Sequence, residues 1–447
     1  MKEILSILKR KKLQFFFLFY ILLLLPFLSP MAENISIYDK LAIFIVCMLL
    51  FSAISIVSVF INSKAEKFIY SIMLIISIIP GAIYLSYLLF AHVLLEQHSV
   101  TSLFETNPEE SKEFVAYYLS PWVIIGVLVY TAIPVVMLAR MKSFKRLKIR
   151  NHKAFFWTSI AIILTITFVG QISRSVYFIN FYKTFIDYKI RVSHEIKTIK
   201  NRQDIEFDVK CLYQDSIPET IVVIVGESLT RHHLSLYGYP RQTNPLLSKK
   251  GDSLFYVYND VVSPQVHTIP VMRSLLSMAD SEHPEYFIER PSLFELFNRA
   301  GYNTFLISNQ DFSEKYRSSY DVLLTLAKQK YNLAPYKQHD DILLPKLEKI
   351  LTKDSSKKKF IFVHLIGNHM AYKFRYPKEY IIFDNKKDNL IPDAAYRDED
   401  AKKTIDQYDN SVLYNDFIIA SVINMLESKK DEKAKMIYFS DHGEELY

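Results

Sequence analysis

Four stretches of this sequence place carboxylates, imidazoles, amides or hydroxyls directly after runs of β-branched and aromatic residues. Gly226-Glu227-Ser228 follows residues 221–225, and Ser308-Asn309-Gln310 follows 304–307. His364 and Gly367-Asn368-His369 close the run 360–365, and Ser440-Asp441-His442-Gly443 follows 436–439. Three of the four therefore offer carboxylate or imidazole groups. With no thiolate cluster in the chain, that is the ligand set of zinc or manganese in an open catalytic site. Thr268, in Ser263-Pro264-Gln265-Val266-His267-Thr268-Ile269-Pro270, leads into a helical run over about 270–279. Its hydroxyl reads as a helix N-cap, or as a nucleophile whose pKa a metal lowers beside a helix N-terminus that favours phosphate. Both readings stand at this level.

Each piece also has a plainer reading. Glu227 suits a helix N-terminus through the dipole. Gly226-Glu227-Ser228-Leu229-Thr230 compares with the GxSxG nucleophile elbow, but Thr230 stands where the sharp turn needs glycine. Adjacent Asp441 and His442 point apart on a strand, whereas a turn just past the strand end aims both at one ion. His364, inside its run, reads as a buried, hydrogen-bonded histidine, and His232 and His233 read as mostly solvated.

Short strands that alternate with helical stretches from residue 219 onward imply an α/β domain with a parallel sheet, in which ligands bind beyond the carboxyl ends of the strands. The other part of the chain is different in kind. Of 447 residues 50% are hydrophobic and 14% aromatic, and the mean hydropathy is +0.09. The long apolar runs fall before about residue 175, near 13–29, 41–62, 68–94, 121–139 and 154–174. Each approaches the roughly 20 residues that cross a bilayer. Basic residues flank them at Lys9 to Lys12, at Lys64 to Lys67, and from Arg140 to Lys153, alternating with acidic segments around Glu33 and Asp39 and around Glu96 to Glu113. The positive-inside rule then puts the N-terminus in the cytoplasm and everything after residue 175 outside. The net charge of +7 reflects these topology signals, so no nucleic-acid partner is expected. Two cysteines, Cys47 and Cys211, make no disulfide framework. Residues 176–218 interleave Tyr177, Phe178, Phe181, Tyr182, Phe185 and Tyr188 with Lys183, Lys189 and Arg191. That mixture suits an amphipathic interfacial linker or a spacer helix packed on the outer domain.

Taken in order, Val223-Ile224-Val225-Gly226-Glu227-Ser228, the run Leu234-Ser235-Leu236-Tyr237-Gly238-Tyr239-Pro240-Arg241-Gln242-Thr243-Asn244-Pro245, His364-Leu365-Ile366-Gly367-Asn368-His369 with Arg375-Tyr376-Pro377, and Phe439-Ser440-Asp441-His442-Gly443-Glu444-Glu445 resemble the phosphoethanolamine transferases of Gram-negative inner membranes. These belong to the alkaline phosphatase and sulfatase superfamily. The resemblance covers almost the whole chain and implies a multi-pass domain of five helices over 1–175, the linker 176–218 and a periplasmic sulfatase-like catalytic domain over 219–447. It implies Glu227, Thr268, Asp441 and His442 as ligands of a catalytic zinc, Thr268 as nucleophile and His369 as a substrate residue near the transferred group. The implied partners are the membrane, phosphatidylethanolamine as donor, and lipopolysaccharide, at lipid A or core, as acceptor. Such proteins continue well past the Asp-His pair, so the chain is expected to be C-terminally incomplete. A phosphoglycerol transferase resembling lipoteichoic acid synthases, or an inactive membrane binding protein left by truncation, is the alternative.

Overall fold

The computed structural model describes residues 11–446 apart from 61–62, 107, 142–151, 203–216, 252–253, 313–317, 337, 385–389, 391–397 and 430–431. Cys211, Lys9, Arg10 and most of the basic turn after Arg140 lie outside the described residues. The chain divides into two compact units, Met1–Arg191 and Val192–Tyr447.

The first unit is helical; its apolar runs form helices, and so do the more polar segments Gln97–Glu105 and Pro108–Tyr118. Among the described residues, three segments, Ile37–Ser58, Lys67–Ala91 and Pro121–Ala139, are long and apolar enough to cross a membrane. At the first and fifth of the expected spans the described residues hold the shorter apolar stretches Phe15–Leu28 and Lys153–Phe168. One stops at Ser29-Pro30, and the other gives way at Val169 before a short helix over Gly170–Arg174. Leu41, Ile45, Leu49, Ile124, Leu128 and Val135 are exposed, as side chains facing lipid must be. The interior is aromatic instead: Phe16 stacks on Tyr70 with ring centroids 4.9 Å apart, and Tyr20 on Phe51 at 4.6 Å. Gly81 leaves room for the Tyr130 side chain, whose hydroxyl donates to the Leu23 carbonyl at 3.1 Å. Small residues allow such close approach between membrane helices. These features are those of a membrane protein.

The second unit is built on a five-stranded sheet: β1 (Glu219–Gly226), β2 (Asn303–Ser308), β3 (Gln329–Asn332), β4 (Lys358–His364) and β5 (Lys433–Ser440). All pairings are parallel, in the order β3-β2-β4-β1-β5. Side chains alternate across it. Val222, Ile224, Phe305, Ile307, Ile361 and Val363 enter one core with Leu347 and Ile350 of helix Leu343–Lys353 and Ile418 and Ile419 of helix Glu399–Glu427. Val223, Val225, Leu306, Phe360 and Phe362 enter a second core with Met272 of helix Thr268–Leu275 and Phe294 of helix Leu293–Arg299. A sheet covered on both faces needs apolar residues at every position, which is why these strands read as continuous β-branched and aromatic runs. β3 has no such run. It is a short, polar edge strand that the apolar pattern could not reveal.

Helix Tyr177–Asn201 gives Tyr177, Phe178 and Phe181 to the apolar core of the first unit. Its last turns, with Ile199 in the second core and Glu195 bound to Arg273 at 2.7 Å, belong to the second.

Candidate metal centre

The register of the sheet puts the ends of β1, β4 and β5 side by side, pairing Val225 with His364 and Gly226 with Ser440. Glu227 and Asp441 are each the first residue past their strands, and both are buried. The chain turns sharply after Glu227 because Ser228 adopts φ +54°, a left-handed conformation that costs a non-glycine residue about 1–3 kcal/mol. Four contacts hold it there. The Ser228 amide donates to Asp441 Oδ1 at 3.1 Å, the Leu229 amide to Ser440 Oγ at 2.8 Å, the Thr230 amide to the Tyr408 hydroxyl at 2.9 Å, and that hydroxyl donates to the Ser228 carbonyl at 2.6 Å. Ser228 is buried and its own hydroxyl donates to Glu227 Oε1 at 3.1 Å. It is a support for Glu227, with none of the exposure of a nucleophile elbow.

Thr268 begins its helix, with His267 at the cap position. Its hydroxyl reaches across to Glu227, 3.1 Å from each carboxylate oxygen, and lies 3.4 Å from His442 Nε2. The oxygen is thus turned toward the strand ends. His442 Nε2 is 3.2 Å from Glu227 Oε1 and 3.6 Å from Asp441 Oδ2. Glu227, Asp441 and His442 each offer one ligand atom, all within 4.8 Å of one another.

Burial and the neighbouring charges act on this cluster in opposite directions. Burial works to raise the Glu227 pKa, but the His442 hydrogen bond and the charges of His369 and His442 outweigh it and hold the carboxyl well below its ordinary value. For Asp441, burial and the neighbouring Glu227 charge push the carboxyl up. Burial works to lower His442, yet the Glu227 hydrogen bond and the Asp441 charge lift it to about 9. Asp441 Oδ2 is buried with no hydrogen-bond partner among the described residues. His442 Nε2, at 3.6 Å, faces this oxygen from beyond hydrogen-bond reach, and a buried carboxylate oxygen without a hydrogen bond costs free energy.

β4 contributes by shape. Gly367 has φ +52°, and a Cβ there would stand 2.7 Å from the Glu227 amide nitrogen. The Asn368 amide donates to the Glu227 carbonyl at 2.9 Å. Asp340 holds the approach in place by accepting from the amides of Ile366 at 3.0 Å and Gly367 at 2.9 Å and from Asn309 Nδ2 at 2.9 Å. His369, half-buried, is close enough for its charge to act on Glu227 but makes no direct bond to the cluster. His364 is a buried strand residue, as its position suggests, with Nδ1 3.5 Å from Ser308 Oγ; burial takes its pKa down to about 4.

Two residues hold roles that the sequence did not assign. His232 is exposed as expected, but His233 packs into a charged network: its Nδ1 is 2.6 Å from Asp409 Oδ1, while Tyr239 and Arg241 donate to Asp409 Oδ2 at 2.8 and 2.7 Å. Arg241 also reaches Asp406 at 2.6 Å. The Leu234-to-Pro245 motif therefore docks on helix Glu399–Glu427, whose Tyr408 steadies the Glu227 turn. The second is Gln310, an uncharged residue that a search for ligands passes over. It lies just past β2 and donates to Glu227 Oε2 at 3.1 Å.

Comparisons with known proteins agree with this architecture. The sulfatase family profile matches residues 219–447. Phosphoethanolamine transferase EptC of Escherichia coli (strain K12) is 29% identical over 433 residues, covering 89% of this chain and 72% of that protein. Phosphoethanolamine transferase CptA of Salmonella typhimurium (strain LT2) is 28% identical over 429 residues, with the same coverage of both. In fold, the chain is similar to the integral membrane protein lipooligosaccharide phosphoethanolamine transferase A (EptA) of Neisseria meningitidis, at TM-score 0.65 and 20% identity, over 97% of this chain and 82% of that one. The relatives bear out the resemblance to phosphoethanolamine transferases carried by the motifs, and, with its parallel sheet and the profile match over half its length, the chain belongs to the sulfatase family.

Proposed function

We propose that this protein is a zinc-dependent transferase that moves phosphoethanolamine from phosphatidylethanolamine to lipopolysaccharide, at lipid A or core, through a phosphothreonine at Thr268. The observation that carries the reading is the Thr268 hydroxyl, held 3.1 Å from both oxygens of Glu227 at the edge of the Glu227, Asp441 and His442 group. That group fits a divalent ion: two buried carboxylates, of which Asp441 Oδ2 accepts no hydrogen bond, an imidazole and a hydroxyl. An imidazole among so few donors favours zinc over manganese. Held by Glu227, Thr268, Asp441 and His442, zinc supplies neutralisation of phosphate charge and a lowered hydroxyl pKa.

Thr268 Oγ1 attacks the phosphorus of the donor lipid. As the Oγ1–P bond forms, the bond to the diacylglycerol oxygen breaks and the hydroxyl proton ends on that oxygen. In the second step an acceptor phosphate or hydroxyl attacks the phosphothreonine, and Thr268 leaves with the acceptor's proton. Such a double displacement gives ping-pong kinetics. His369 stands beside the transferred group, and tethering to a membrane unit raises the effective concentration of two lipid substrates. Incubating the purified chain with lipopolysaccharide and phosphatidylethanolamine labelled in its headgroup should release diacylglycerol and label lipid A or core, read by mass spectrometry. Release from phosphatidylglycerol alone would replace this reading by the phosphoglycerol one.

The alternation of basic and acidic loops supports an inner-membrane protein with its N-terminus in the cytoplasm and the catalytic unit in the periplasm. Alkaline phosphatase fused at residue 215 should be active and at residue 148 inactive. The reverse pattern would invert the topology.

A further inference from the structure

We infer that Gln310 is a positioning residue for the metal centre, the group that keeps the Glu227 carboxylate aimed once an ion is bound. The inference rests on the metal reading above. Gln310 Nε2 donates to Glu227 Oε2 at 3.1 Å and to the Leu365 carbonyl at 2.9 Å. A primary amide nitrogen carries two hydrogens, so both are used and the amide cannot turn. Leu365 is itself fixed, its amide donating to the Val225 carbonyl at 3.0 Å. One side chain from the end of β2 thus ties together the ends of β4 and β1.

The other donors to Glu227 explain why this matters. They are Ser228 Oγ on Oε1, Thr268 Oγ1 on both oxygens, and His442 Nε2 on Oε1. Thr268 and His442 are ligands in the metal reading, and a ligating imidazole nitrogen or alkoxide has no proton left to donate. Metal binding therefore strips Glu227 of these two partners. Gln310 on Oε2 and Ser228 on Oε1 remain, one neutral donor for each oxygen, and neither adds charge that would compete with the ion. Outer donors of this kind orient ligating carboxylates, and losing one typically costs 10–100-fold in metal affinity.

The test is zinc affinity of the full chain in detergent, measured by competition with a chromophoric chelator, together with melting of the metal-free protein. Gln310→Met keeps length and approximate volume while deleting both N–H groups. It should bind zinc about 10–100-fold more weakly, with the metal-free melting temperature little changed. Gln310→Asn, too short to span Leu365 and Glu227 together, should weaken zinc in the same direction and serves if the Met variant fails to fold. Parent-like zinc affinity in a folded variant overturns the positioning role while leaving the metal reading intact. A parent chain that binds no zinc overturns both.

Discussion

In a Thr268→Ala protein, headgroup transfer should fall by roughly 10³-fold or more, the scale seen when a covalent nucleophile is removed, while the fold survives. The structure separates this outcome from that of a structural threonine. His267 holds the cap position, and the Thr268 hydroxyl donates to Glu227, so it does not cap its own helix. Loss of an ordinary cap would cost about 1 kcal/mol of stability and spare the chemistry. Thr268→Ser keeps an oxygen but loses the methyl that restricts its rotamer, and should retain partial turnover. Incubation with donor lipid and no acceptor should add the mass of one phosphoethanolamine group to the peptide containing Thr268. An adduct on Ser228 or Thr230 would move the nucleophile elsewhere.

Glu227→Ala, Asp441→Ala and His442→Ala should each leave the purified protein with substoichiometric zinc and abolish transfer, because an open site has few ligands to lose. Elemental analysis and thermal melting check this together. For the parent, zinc at about 100 times its Kd adds about 2.7 kcal/mol of stability by mass action. That gain should shrink or vanish in the three variants. Acidity should act in the same direction, since His442, lifted to about 9 in the metal-free cluster, must give up its proton to ligate, and zinc affinity weakens as pH falls. Full zinc content in all three variants would refute the site.

Much of this was legible in the sequence because both faces of the sheet are covered. Val222 to Val225 and Phe360 to Val363 are buried whichever way they point, so apolar runs marked the central strands, and ligand chemistry stood directly after them. Residues that act through partners far along the chain were not legible. His233 looked solvated because Asp409 is 176 positions away, and nothing tied Gln310 to Glu227 because the two are 83 positions apart.

The strand order has a consequence for how the protein is made. β1 lies between β4 and β5, and the Ser228 amide bonds to Asp441 across 213 residues. During synthesis Glu227 leaves the ribosome long before the strand that precedes Asp441 and His442; through that interval β1 lacks β5, and for more than half of it β4 as well. At 5–20 residues per second the wait lasts roughly ten to forty seconds. The unpaired β-branched run Thr220 to Val225 is then a ready partner for another nascent chain. A chain with this connectivity depends on late, non-local pairing, which is slow. The loops that carry Glu227, Asp441 and His442 come together only once β5 has paired with β1.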